Sequence, residues 1–159
     1  MATVLAGIIS NTRTLIAALT PTTRSNLTSS YRIRTEMLTE ELLDQIAATD
    51  ATHRHVWIQW GEPLVDMSPY TTSDARIRER ELEITVLYCS QTGHHPQSAG
   101  IDTQTMAAED ADQIMHELHD TTKYPTGLHL MRFISRREML SMGKMLQVLV
   151  FRVVYVYTA

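Results

Sequence analysis

Residues 147–158 read Gln-Val-Leu-Val-Phe-Arg-Val-Val-Tyr-Val-Tyr-Thr, and their alternation decides how the rest of the chain must be arranged. Successive strand residues point to opposite faces of a sheet. Val148, Val150, Val154 and Val156 therefore share one face with Arg152, and Leu149, Phe151, Val153, Tyr155 and Tyr157 share the other. A strand apolar on both faces needs cover on both. Helices of the same chain can cover one. A neighbouring subunit or a second layer of the same chain must cover the other.

Working back from this strand, Arg76–Tyr88 is a second long strand. Leu82, Ile84, Val86 and Tyr88 fall on one face, and Glu79, Glu81, Glu83 and Thr85 on the other. That is the pattern of an antiparallel strand with one wet, acidic face. His55–Trp60 is a shorter strand closed by Gly61 and Pro63, with Val56, Ile58 and Trp60 opposite Trp57. Leu128–Arg137 is a fourth, and Glu138–Gly143 reads as a break before the last.

Three helices complete the order. Ala6–Leu19 carries Leu5, Ile8, Ile9, Leu15, Ile16 and Leu19 at helical spacing, with Asn11, Thr12 and Arg13 on the wetter side, and Pro21 stops it. Thr39 is a cap for a short helix reaching Ala48. Thr105–Thr121 buries Ala107, Ala111, Ile114, Met115 and Leu118, while Glu109, Asp110 and Asp112 sit where the helix dipole favours acids. The expected fold is α+β: one mainly antiparallel or mixed four-stranded sheet with helices packed on one face, the outer strand pairs being hairpins joined by the main helix. The whole of 1–159 is expected to be one domain, with insertions at 31–52 and 90–104.

At 43% hydrophobic and 20% charged, the composition is that of a globular chain rather than a disordered one. A net charge of -4 argues against a broad nucleic-acid grip, which rests on Lys and Arg neutralising phosphates. It leaves room for a protein through which DNA passes without being held. The single cysteine, Cys89, forbids an internal disulfide. The apolar end of the chain is too short for a membrane helix, which takes about twenty residues. Asn26-Leu27-Thr28 matches a glycosylation sequon, a pattern short enough to arise by chance.

The chemistry-bearing residues form no catalytic pattern. Of the seven histidines, His116 and His119 lie three apart on a helix and can face the same way, but a metal site would need further ligands such as Asp112 or Asp120. His94 and His95 lie in a Gly/Pro loop, and His53, His55 and His129 stand alone. Cys89 reads as a packed thiol, since nothing near it lowers a thiol pKa. Glycine-rich phosphate loops and dinucleotide fingerprints are absent from the sequence. Met139, Met142 and Met145 read as adaptable packing. The expectation is no catalytic residue, no metal and no cofactor.

The layout resembles the tail-terminator and minor tail proteins of long-tailed bacteriophages. The likeness lies in the first helix ending in Ala-Leu-Thr-Pro (Ala18–Pro21), the charged-to-apolar strand Arg78–Tyr88, the helix Ala107–Asp120 and the alternating last strand Leu146–Tyr157. The resemblance implies a structural virion protein, assembled in the host cytoplasm, that caps the tail tube as a homohexameric ring and forms the tail side of the head–tail joint. A head-completion or neck adaptor, or a tube-end minor tail protein, is the alternative; a non-viral oligomeric module or small enzyme lies further off. It further implies tail-tube and neck or connector proteins as partners, DNA passing through without sequence-specific binding, and no membrane. Glu79, Glu81 and Glu83 are then expected to approach the channel, and Trp57, Phe151, Val153, Tyr155 and Tyr157 to meet the neighbouring subunit. Thr39–Ala48 and Thr92–Thr103 are longer than the family layout requires and are candidate docking segments.

Overall fold

The computed structural model describes residues 3–21, 30–49, 54–66, 75–89, 103–141 and 144–158. In chain order these form α1 (Val4–Ala17), β1 (Arg32–Ile33), α2 (Glu40–Thr49), β2 (His55–Asp66), β3 (Ala75–Cys89), α3 (Thr103–Leu118), β4 (Leu128–Ser141) and β5 (Lys144–Thr158). The sheet has the order β1-β2-β3-β5-β4. All four long strands pair antiparallel, and the two-residue β1 joins β2 in parallel. The outer pairs are the expected hairpins, and α3 lies in the connection between them. The fold is α+β, with a mixed, mainly antiparallel sheet and its two long helices packed on one face.

That face is built by strand alternation. Leu82, Ile84, Val86 and Tyr88 of β3 and Leu149, Phe151 and Val153 of β5 are all fully buried in one cluster, together with Ile8 and Ile16 of α1 and Met106, Ala107 and Ile114 of α3. Burying a side chain such as Phe151 stabilises the fold by roughly 1.5–3 kcal/mol. Thr12, expected on the wet side of α1, is buried instead. Its hydroxyl donates to the Ile8 carbonyl at 2.8 Å, which satisfies the group within its own helix.

The short α2 lies against the other face. Thr39 caps it, its side-chain oxygen accepting from the Leu42 N–H at 3.1 Å. Leu43 and Ile46 then close over Trp57 and Leu87, with Leu38, Leu42 and Leu146 at the rim. Lys144, almost wholly buried at the start of β5, pairs with Asp44 of α2. The segment read as an insertion thus supplies part of the second covering layer from within the chain.

Two strands run further than their residues predicted. β2 continues through Gly61 and Pro63 because bulges between Trp60 and Val65 absorb the proline, which a regular interior strand cannot accept. β4 continues past Arg137 to Ser141, its charges tolerated at an edge open to solvent. At the 15 residues of β3, a strand is roughly 50 Å long. The 16 residues of α3 span only about 24 Å. No single helix of this length spans a strand of the sheet from end to end.

Candidate functional site

Two places hold polar side chains in an arrangement that asks for an explanation. The first is inside. Arg54 precedes β2 with φ of 64°, a left-handed conformation that costs a non-glycine residue about 1–2 kcal/mol. Its backbone joins three segments: its N–H donates to the Leu87 carbonyl at 2.8 Å, and its carbonyl accepts from the Arg32 N–H at 2.8 Å. The unusual backbone aims the side chain into the core, where it forks onto Asp110 of α3. Nε donates to Oδ2 at 2.7 Å and Nη2 to Oδ1 at 3.1 Å, with both side chains fully buried.

Tyrosines close the network. The Tyr88 hydroxyl donates to Asp110 Oδ2 at 2.7 Å, and the Arg54 guanidinium lies 5.8 Å from the centre of the Tyr31 ring. Tyr31 donates to Gln113 Oε1 at 2.8 Å, and Gln113 reaches the Thr20 carbonyl at 2.6 Å. Burial, then the Asp110 charge and hydrogen bond, push the Tyr88 phenol well above its ordinary value, and burial does the same to Tyr31. Burial works against the charge on Arg54, but the hydrogen bonds and charge of Asp110 outweigh it and keep the guanidinium protonated. Burial raises Asp110 against the pull of Arg54 and both tyrosines. A fully buried fork fixes α3 on the sheet; no solute reaches it in this conformation.

The second place is the part of the reverse face that α2 leaves uncovered. Glu79, Glu81 and Glu83 of β3 lie there, all half-buried, opposite Val154, Arg152 and Val150 of β5. One strand further, β4 sets Leu130, Arg132, Ser135 and Arg137 beside Val154, Arg152, Val150 and Val148. Acids thus run along β3 and arginines along β5 and β4. Arg152 Nε comes within 4.0 Å of Glu79 Oε2. The glutamate row expected from the sequence is real, but the face carries both signs rather than one.

The other sequence-predicted residues are placed differently. Phe151, Val153 and Tyr155 are 0%, 0% and 7% exposed and lie under α1 and α3. Their cover is internal, which corrects their assignment to a subunit contact: a neighbour docking on the folded chain meets other residues. Trp57 is buried beneath α2 for the same reason. Tyr157 lies on β5 with its side chain outside the described residues, as is the side chain of Cys89 on β3. His53, His94 and His95, and the candidate docking loop up to residue 102, lie outside the described residues. Met145 is core and Met139 is exposed.

His116 and His119 do not act together. His116 is exposed, while His119 Nε2 accepts from the Phe133 N–H of β4 at 3.1 Å. Beside it, Tyr124 accepts from the Met131 N–H at 3.0 Å, and its hydroxyl also lies 3.3 Å from the Met131 carbonyl. These bonds fall on the outer edge of β4, and no sequence pattern marks them. Among the described residues no group of three or more His, Cys, Asp or Glu side chains could hold a metal ion, and no helix is long and apolar enough to cross a membrane. Comparison with known proteins gives no match, either to a family model or to a curated sequence.

Proposed function

We propose that the chain is a non-catalytic structural subunit that assembles with copies of itself into a ring, of the kind that caps the tail tube of a long-tailed bacteriophage and forms the tail side of the head–tail joint. The observation that supports this reading is the half-open reverse face of the sheet, with its glutamate row on β3 and its arginines on β5 and β4. A face carrying both signs in separate strips complements a protein neighbour of matching pattern. It suits a channel for DNA less well, because Arg132, Arg137 and Arg152 would hold phosphates that Glu79, Glu81 and Glu83 repel. In this reading the glutamates meet a neighbouring copy. Tube and neck proteins dock on the ends of the ring.

The test is the mass and symmetry of the purified protein, by light scattering and electron microscopy. A closed ring with an open centre, sixfold in the expected case, supports the reading. A particle that stays monomeric up to near-millimolar concentration overturns it. So does a turnover assay that finds a reaction lost when Arg152 or Glu79 is replaced.

A further inference from the structure

The edges of this sheet are protected unevenly. At one side, β1 covers only His55 and Val56, and the remainder of β2 carries bulges and Pro63, devices that discourage another strand from pairing. At the other side, Tyr124 occupies the outward N–H and carbonyl of Met131, and His119 the outward N–H of Phe133. Beyond Phe133 a bulge shifts β4 by one residue, since Phe133 faces Phe151 and Ser135 faces Val150. Met131 and Phe133 sit opposite Val153 and Phe151; the residues opposite the same alternate set of β5 past the bulge are Arg136, Glu138 and Leu140. Their N–H and C=O groups therefore point away from β5. No side chain among the described residues closes them off as Tyr124 and His119 do for the first half. Ile134, just before this stretch, and Met139, within it, are exposed at 44% and 45%.

We propose that Ser135–Ser141 is a strand-addition site, at which the same segment of a second copy pairs antiparallel and centred on Arg137. The inference goes beyond the ring and does not depend on it. Charge selects the occupant and the register. Centring on Arg136 or Glu138 opposes like charges at the axis on the helix side of the sheet. Centring on Arg137 sets Arg136 of each copy against Glu138 of the other, and these are outward residues able to exchange backbone hydrogen bonds. Arg137 lies midway between Phe133, where the His119 bond stops further pairing, and Ser141, where the strand ends. The two Arg137 side chains meet on the open face, where they are exposed to screening by salt. Arg136 is oriented within its own chain by Gln147 and Glu138, so in the pair each Glu138 is shared between the Arg136 of its own chain and that of the second copy.

Sedimentation equilibrium and residue-resolved amide exchange test this on the full chain. A twofold species is expected, with the amides of Arg136, Glu138 and Leu140 slowing as concentration rises while those of Met131 and Phe133 stay unchanged. Arg136→Glu should weaken dimerisation by about tenfold, because both reciprocal pairs become repulsive. Adding Glu138→Arg to that variant should restore it. Glu138→Pro removes an outward N–H without touching the β5 ladder, and should abolish pairing while the chain still folds and melts close to the dilute wild-type monomer. Association that persists undiminished in Arg136→Glu and in Glu138→Pro overturns the proposal, as does a chain without concentration-dependent protection at Arg136 and Glu138. A ring lacking that protection would remove the strand pairing alone; a dimer with it and no ring would remove the ring alone.

Discussion

The two faces of the sheet each carry an arginine–carboxylate contact, and they differ in everything except chemistry. Arg54 and Asp110 are fully buried and joined by two good hydrogen bonds. Arg152 and Glu79 meet at 4.0 Å, with 48% and 18% of their side chains exposed. Water solvates the second pair and weakens it, so its worth to the folded chain is small. In the first, both charges are shut away from water and forked onto each other, so removing one withdraws a partner that water cannot replace. The same pair of functional groups fixes a helix on one face and remains available to a neighbour on the other.

Breaking the inner pair should have the largest effect. Asp110→Ala leaves Arg54 charged in the core and is expected to cost about 3–5 kcal/mol in urea denaturation. Arg54→Met combined with Asp110→Leu should cost clearly less than Asp110→Ala alone, since no charge is left unpaired. A double substitution as damaging as the single one would show that the fork is not the issue. Phe151→Ala should fall in a similar range, about 3–5 kcal/mol, from the cavity it opens. Phe151→Asp should unfold the subunit rather than merely detach it from a neighbour, which gel filtration and circular dichroism together distinguish.

The next effect depends on pH. Tyr88 titrates in the unfolded chain near its ordinary 10.0 and in the folded chain well above it. A raised folded pKa contributes stability that is complete below the unfolded value and is lost as pH rises past it. Wild-type stability should therefore decline above about pH 10. Tyr88→Phe should start lower, by roughly 1.5–3 kcal/mol for a hydrogen bond to a charged group, and then decline less steeply. An alkaline slope identical in both proteins would place the titration elsewhere. The smallest effect belongs to the outer pair: Glu79→Gln should change stability by less than about 1 kcal/mol. Raising salt should weaken whatever assembly its face supports, read by light scattering.

The sequence disclosed most of the frame because alternation and helical periodicity are local signals. The two-faced β5, the amphipathic β3 and the stripe of α3 could all be read directly, and they sufficed for the α+β class. The site was less legible. Arg54 and Asp110 are 56 positions apart, and nothing near either one names the other. One clue was present: Asp110 falls in phase with Ala107, Ala111 and Ile114, so a carboxylate on the buried stripe required a buried partner. It read instead as an acid suited to the early turns of a helix. Phe151 and Tyr155 were visible as apolar, but alternation does not say whether the cover belongs to the same chain. The extension of β4 beyond Arg137 was hidden because Glu138, Ser141 and Gly143 resemble a break until the pairing with β5 shows Glu138–Ser141 in the strand.

Tyr124 gives that edge its last consequence. Its hydroxyl contacts both the N–H and the carbonyl of Met131, so one side chain imitates a peptide unit of a sixth strand. A counterfeit peptide ends a ladder where a real one would extend it. Tyr124→Phe would remove both contacts at once and lengthen the adhesive rim towards the start of β4. With only the Phe133 N–H still held by His119, the length and register of any pairing at that edge would then rest on one phenolic oxygen.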